Sequence, residues 1–424
     1  MNSPHVASYY AASANPQPAR PELHGRVDVD VCIVGAGYTG LSSALHLAES
    51  GYKVAIVEAA SVAWGASGRN GGQIVHSYSR DIDVIEKSHG KAVADAMGSM
   101  AFEGARIIRE RVAHYNIDCD LKDGGIYAAK TRKKAEALHE HKSLWEKYDR
   151  LKMEFIEGAV IQNYVRTGEY QAILIDPTGG HIHPLNLALG EATAFESLGG
   201  VIYEQSPVIR IERGETAVVR TARGEVHAKS VIVACNAYIG ELEPRLSAKA
   251  MPCGTQVVAT APLSDWQNIL PSDFCVEDTN YLLDYYRLSA DKRLIFGGGV
   301  VYGAKDPEDI ESYIRPNLER TFPQLTGVKI DYAWTGNFLL TLSRLPQVGR
   351  LESNIYYAQG CSGHGVTYTH MIGRVLSEAI RGQHERFDVF AGLPHYPFPG
   401  GRLFRVPFTA LGAFWYDIRD RLGV

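Results

Sequence analysis

Apolar and polar positions along this chain follow two periods, and their order predicts a nucleotide-binding βαβ unit near its start. Residues 31–34 are an apolar run rich in β-branched side chains, the pattern of a strand buried in a parallel sheet. The run leads into Gly35, Ala36, Gly37, Tyr38, Thr39 and Gly40, a GxGxxG turn. Leu41, Ala44, Leu45 and Ala48 then recur at helical spacing, Gly51 stops the helix, and residues 54–57 form a second apolar strand ending at Glu58. A glycine motif alone is weak in a chain with 42 glycines, but here both strands, the helix and the terminal acid are in order. In such a unit Gly35 permits the tight turn, Gly37 lets a pyrophosphate approach backbone N–H groups, and Gly40 packs helix on strand. Tyr38 and Thr39 open the helix, and Glu58 takes the ribose hydroxyls. A carboxylate at that point repels a 2′-phosphate, so the ligand expected is FAD or NAD.

Further along, the nine residues from Gly65 to Gln73 contain four glycines and expose many backbone donors; Ser67, Gly68, Arg69, Asn70, Gly71 and Gly72 are candidates to lie along the same ligand. Arg69 can offset pyrophosphate charge. Near the C-terminal end, residues 355–358 read as a strand, residues 360–365 as a turn, and residues 367–380 as a helix with Ile372, Val375, Leu376 and Ala379 on one face. A helix N-terminus there presents N–H groups and positive potential, supplied by Ser362, Gly363, Gly365, Val366 and Thr367, with His364 as a candidate for charge stabilisation. Other strands and turns of a mixed sheet are expected at residues 124–128 and 292–299, with helices at about 90–115, 132–147 and 185–198.

Composition narrows the class. At 424 residues and 45% hydrophobic, the chain is long enough for two domains; a net charge of −5 and a pI near 6.3 give no reason to expect nucleic acid or an anionic membrane as partner. The six cysteines are dispersed without a CxxC pair, which suggests reduced thiols and neither a zinc site nor a disulfide framework. His181 and His183 lie two apart with no evident third ligand, and Pro184 reads as the opening of a helix, so no metal site is expected. Residues 1–26 lack the apolar core of a signal peptide and no apolar run is long enough to span a bilayer; the expected location is cytoplasmic. The first 26 residues are expected to wrap the surface or move, and residues 408–422 to form an amphipathic helix docked on the protein or a second subunit.

The GAGYTG turn with Glu58, the GASGRNGGQ loop, the strand at residues 228–234 running into Cys235 and Asn236, the Trp334-Thr335-Gly336 run, and the YYAQGCSGHGVT segment from Tyr356 resemble FAD-dependent amine and amino-acid oxidoreductases of the D-amino acid oxidase, glycine oxidase and sarcosine oxidase type. The resemblance implies an α/β fold in which a discontinuous Rossmann-like FAD-binding domain is interleaved with a mixed-sheet substrate domain. It implies FAD as cofactor, with the late turn facing the pyrimidine edge of the flavin. The chain departs from the family pattern at Asn236, where a glycine is often found, and at Arg344, where an acid often precedes the proline. Cys361 lacks the expected surroundings of a covalent flavin attachment and reads as a buried thiol. The FAD-binding domain is placed at residues 27–80, 182–245 and 332–390, the substrate domain at 81–181 and 246–331, and a C-terminal extension at 391–424.

Within the family, the resemblance extends over nearly the whole chain to members that oxidise a small primary amine carrying a glutamyl group at its far end, giving an aldehyde, ammonia and hydrogen peroxide. Oxygen is the implied acceptor; a dehydrogenase passing electrons to a quinone is the alternative. A non-catalytic nucleotide-binding protein is the third reading, separable by a flavin spectrum that bleaches with an amine. Tyr281 and Tyr285, alternating on one strand face, are the candidate aromatic walls, and with His364 they form the expected catalytic set. Arg287 or Arg344 is a candidate for a substrate carboxylate, and a turn at residues 253–255 is expected to border the cleft. A homo-oligomer is left open.

Overall fold

The computed structural model describes residues 4–149, 152–303, 306–399 and 404–411. Two mixed sheets carry the fold. The first is ordered Gln347–Glu352, Ile355–Gln359, Gly224–Val233, Gly25–Val34, Val54–Val57 and Val201–Tyr203. Its four inner pairings outside Gln347–Glu352 are parallel, and its central strands are apolar on both faces, as a sheet covered by helices requires. The helices Tyr38–Glu49 and Gly365–Ile380 pack on one face, and Gly373 lies so close to Ser42 that a methyl group there would meet its side chain at 2.5 Å.

The second sheet runs Ile330–Thr341, Ala250–Thr260, Leu294–Tyr302, Tyr285–Leu288, Cys275–Asp278, Lys122–Ala129, Ala172–His181 and Gln73–Ile74. All its neighbours are antiparallel except Cys275–Asp278 with Lys122–Ala129. One face buries Val258, Val276, Tyr286 and Phe296 in a local core with Ile314 and Leu318 of the Ile310–Thr321 helix. The other faces the nucleotide sheet, where Tyr127 and Tyr285 pack against the main core. Residues 73–74 and 332–341, grouped on sequence with the FAD-binding part, lie in this second sheet.

Several local expectations are corrected. The helix expected over 90–115 is broken into Lys91–Met100 and Glu103–His114. The break brings Gly104 onto Gly365–Ile380, so closely that a Cβ would sit 1.9 Å from the Thr367 carbonyl oxygen. The turn expected at 253–255 is instead part of the continuous Ala250–Thr260 strand, irregular in register between Gly254 and Gln256.

The N-terminal segment is built into the body rather than draped over it. Ser8 caps a short helix, Tyr9–Ala12, by accepting from Ala11 N–H at 3.1 Å. Tyr10 is wholly buried, with ring contacts to His183 and Trp334 at 5.0 and 5.1 Å, and its hydroxyl accepts from Arg287 at 3.1 Å. At the other end Phe398 is buried with Met251 and Leu340, and Arg405 donates to the Ser247 and Ala250 carbonyls. Of the amphipathic helix expected at 408–422, residues 412–422 lie outside the described residues. Among the described residues, no helix is long and apolar enough to cross a membrane.

Candidate functional site

A cavity of about 510 Å³ opens where the strand ends of the nucleotide sheet meet the two long helices. At one end Gly35, Gly37, Tyr38, Thr39 and Glu58 line it; at the other Cys361, Gly363, Gly365, Val366 and Phe338 do. This is the crevice beyond the carboxyl ends of parallel strands, where α/β sheets take their ligands. Two helix N-termini point into it. Gly37 and His364, the cap residues, make no side-chain cap bond, which leaves first-turn N–H groups other than that of Tyr38 for a ligand.

The glycines serve different ends. Gly35 has φ +108°, and a Cβ there would meet the Ala234 carbonyl oxygen at 2.8 Å; Gly40 lets the helix touch the strand, its absent Cβ lying 2.0 Å from the Gly35 carbonyl oxygen. Gly37 leaves room beside Ser67, whose hydroxyl accepts from Tyr38 N–H at 3.0 Å. Ser67 and Asn70 of the glycine-rich loop line the cavity, whereas Gly68, Gly71 and Gly72 serve packing. Gly68 abuts the Ala63 carbonyl and Leu185, Gly71 the Tyr285 ring, and Gly72 the Ile182 carbonyl and Arg287.

Glu58 ends its strand beside the cavity and accepts from Ala36 N–H at 2.7 Å and Ala60 N–H at 2.9 Å. Burial lifts its carboxyl above the usual range, against those backbone bonds. Two donors occupy two of roughly four acceptor positions, which leaves capacity for a ribose diol. Replacing Glu58 by Ala is expected to weaken FAD retention about tenfold or more while the fold survives, since hydrogen bonds to a charged group contribute about 1.5–3 kcal/mol. Flavin absorbance after extensive dialysis checks this, and full occupancy would remove Glu58 from the site.

Arg69 does not reach the cavity as expected. Its guanidinium stacks 4.3 Å from the Trp64 ring and donates to the Trp64 carbonyl at 2.8 Å, while its own carbonyl accepts from Trp334 Nε1 at 2.9 Å. It therefore ties the loop to the second sheet. Ser362 and Thr367 are buried in the turn and first helical turn without lining the cavity. His364 sits at the helix mouth with Nδ1 2.8 Å from the His76 carbonyl oxygen, so its ring is engaged with the neighbouring segment rather than lining the cavity. Burial holds its imidazole below the ordinary value. Burial likewise pushes the Cys361 thiol up, which disfavours the thiolate.

The expected aromatic face is also rearranged. Only Tyr285–Leu288 is a strand, and Tyr281 lies before it, 38% exposed, with its hydroxyl accepting from Arg344. Tyr285 instead stands over Gly71 and Gly297, its hydroxyl 3.3 Å from Thr255 Oγ1. Arg287 is corrected from a substrate-binding candidate to a structural group: it is 1% exposed and donates to the Gly71 and Leu288 carbonyls and the Tyr10 hydroxyl. Arg344 spends its guanidinium on the Tyr281 ring and hydroxyl. His183 caps the Pro184–Ser197 helix by accepting from Asn186 N–H, and His181 Nε2 lies 2.9 Å from the Asp273 carbonyl oxygen. Among the described residues, no three His, Cys, Asp or Glu side chains gather as metal ligands.

Sequence reasoning missed part of the lining. Trp64, Pro207, Val208 and Phe338 border the cavity from segments without a motif. Asn236 left a signal: it holds φ +43°, a left-handed conformation that asparagine tolerates, and its Oδ1 accepts from Gly360 N–H at 3.0 Å. It thereby replaces the usual glycine and pins the late turn.

Two helix N-termini, a carboxylate at one end and a glycine-rich turn at the other fit FAD. Comparison with known proteins agrees. Residues 30–379 match the family model described as FAD dependent oxidoreductase. The chain is 59% identical over 423 residues to gamma-glutamylputrescine oxidoreductase of Escherichia coli (strain K12), covering 99% of both chains. It is 38% identical to a probable oxidoreductase, OrdL, of Haemophilus influenzae, covering 98% of each. Its fold is similar to a crystal structure of glycine oxidase from Geobacillus kaustophilus, with a TM-score of 0.72 at 21% identity over 87% of this chain and 99% of that one.

Proposed function

This chain belongs to the FAD-dependent oxidoreductase family, and from that premise we propose that it oxidises the primary amine of gamma-glutamylputrescine to gamma-glutamyl-aminobutyraldehyde in putrescine catabolism. Ammonia leaves as the second product, and oxygen, as acceptor, becomes hydrogen peroxide. The observation that carries the reading is the end-to-end identity with the Escherichia coli gamma-glutamylputrescine oxidoreductase, which spans both sheets and both terminal segments.

Bound FAD supplies a two-electron acceptor for the hydride leaving the carbon next to the amine. The chain's own residues have three tasks. Gly37 and Thr39 would present backbone N–H groups to the pyrophosphate, Glu58 would hold the ribose, and the N-terminal turn of Gly365–Ile380 would offer positive potential where negative charge grows. The second sheet, whose Tyr127 and Tyr285 pack against the main core, would exclude water from a bound amine and keep it oriented.

Distal groups orient a reacting end when they are bound in the transition state. Gamma-glutamylputrescine is therefore expected to show a kcat/KM at least about 100-fold above that of free putrescine, which lacks the glutamyl handle. A steady-state panel with glycine, sarcosine, D-alanine, putrescine, spermidine and the gamma-glutamyl derivatives measures it, with peroxide and a redox dye as separate readouts. A simple amino acid or the free diamine as best substrate would overturn the substrate assignment. Dye reduction without peroxide would replace oxygen by another acceptor.

A further inference from the structure

Three adjacent strands of the second sheet place Tyr127, Glu277 and Tyr285 side by side on the face turned toward the cofactor half. Glu277 is the direct partner of Tyr127 across the parallel pairing and of Tyr285 across the antiparallel one. Directly opposed side chains in a sheet start only about 5 Å apart. The row is bounded at one end by Gly71 of the glycine-rich loop, packed on the Tyr285 ring, and at the other by His76, whose ring is 5.9 Å from Tyr127 and 4.8 Å from His364. It thus spans the region between the two elements that frame the FAD cavity.

Glu277 is the unusual member. Its neighbour Asp278 points to the opposite face and pairs with Lys130 at 2.7 Å, whereas the Glu277 carboxyl has neither an ion pair nor a hydrogen bond among the described residues. Tyr127, Glu277 and Tyr285 each keep some accessible surface although they lie between the two sheets. The Tyr127 hydroxyl is buried without a partner. The groups around Glu277 are Asp278 on its own strand, Asp176 on Ala172–His181, the Cys275 thiol and the two tyrosines, with no cation among the influences on its titration. A lone carboxyl between two aromatic rings, with no internal counter-charge, has the chemistry of a site for an alkylammonium ion.

Resting on the substrate reading above, we propose that Glu277, walled by Tyr127 and Tyr285, receives the substrate's ammonium group and takes a proton from it. The ammonium N–H bond breaks with its electron pair left on nitrogen, and an O–H bond forms on the Glu277 carboxyl. The resulting neutral amine has the lone pair that hydride loss from the adjacent carbon requires. The proton returns to solvent after product leaves.

Burial, followed by the charges of Asp278 and Asp176, raises the free Glu277 carboxyl to about 8. Only its ionised form can accept the proton, so kcat/KM for gamma-glutamylputrescine is expected to rise with pH to about 8 before the substrate's own deprotonation takes over. Glu277→Gln keeps the shape and removes the acceptor. In the holoenzyme it is expected to lower kcat/KM about 100-fold, to abolish the acid limb, and to leave flavin content unchanged. A second readout needs no turnover: the analogue of gamma-glutamylputrescine with two methyl groups on the amine-bearing carbon has no hydrogen to transfer. Calorimetric titration of wild-type holoenzyme with it is expected to show binding that tightens as pH rises through about 8, and Glu277→Gln to weaken that binding at least about tenfold.

A Glu277→Gln enzyme within about threefold of wild type with its acid limb intact overturns the proposal. If that variant fails to retain flavin, the wild-type profile decides: kcat/KM flat from pH 6 to 8.5 overturns it equally. A wild-type enzyme that ignores gamma-glutamylputrescine while oxidising another primary amine defeats only the substrate reading, and the same pH test then runs on that amine.

Discussion

Gly40→Ala is expected to yield protein that is purified nearly free of FAD, with flavin absorbance per chain reduced at least about tenfold. The added Cβ would lie 2.0 Å from the Gly35 carbonyl oxygen and 3.3 Å from Ile33 Cγ2, and the first of these partners is a backbone atom. A side chain cannot swing away to relieve it, so the Tyr38–Glu49 helix must lift from the Gly25–Val34 strand. Lifting carries the first-turn N–H groups away from the pyrophosphate position, and the cap at Gly37 has no side chain to compensate. The absorbance ratio of flavin to protein after gel filtration in excess FAD checks the result. A yellow, fully loaded variant would show that the turn tolerates what the geometry forbids. At Gly37 the constraint is different: within the protein an added Cβ would meet only the Ser67 side chain, its hydroxyl at 3.0 Å, so the glycine there leaves room for the ligand rather than for the fold.

Arg111→Ala is expected to destabilise the protein by about 3–5 kcal/mol, lowering the melting temperature by roughly 3–6 °C. Arg111 is 4% exposed and donates to Glu191 Oε1 at 2.8 Å and to the Ser42 carbonyl at 3.1 Å; His370 Nε2 lies 3.0 Å from the same Glu191 oxygen. These residues tie Glu103–His114, Pro184–Ser197 and Gly365–Ile380 together behind the nucleotide-binding helix. Burial alone would push the Glu191 carboxyl up, but His370 and Arg111 outweigh it and hold the group well below the usual carboxylate range. A folded value below the unfolded one contributes stability above the unfolded value, and that contribution is lost as pH falls through the folded one. Removing Arg111 raises the folded value, so acid unfolding of the variant is expected to begin at higher pH. Thermal melts between pH 4 and 8 test both parts, and an unchanged melting temperature would show the ion pair to be dispensable.

The nucleotide-binding unit was legible because each of its parts is local in sequence. Residues 31–58 declare strand, turn, helix, strand and acid within one continuous stretch, and Gly51 closes the helix with φ +83° as the pattern requires. The late turn and its helix were legible for the same reason, although the helix begins at Gly365, two residues earlier than its apolar stripe indicates. What failed depended on contacts distant in sequence. Arg69 is the exception, its guanidinium being taken by Trp64 only five residues away, whereas Arg287 looks like a carboxylate anchor until Tyr10, 277 positions away, accepts from it. The alternation of Tyr281 and Tyr285 assumed a strand four residues longer than the one that forms. Glu277 gave no local signal at all: its surroundings arise only when strands from residues 122–129, 275–278 and 285–288 align.

The position of Tyr10 has a mechanical consequence. Its ring is wedged between His183, at the start of a helix on the cofactor side, and Trp334 and Arg287 of the second sheet. The N-terminal segment therefore acts as a bolt across the seam of the two halves. Hinged separation of the two sheets would have to withdraw a fully buried aromatic ring, so the segment resists opening at this seam.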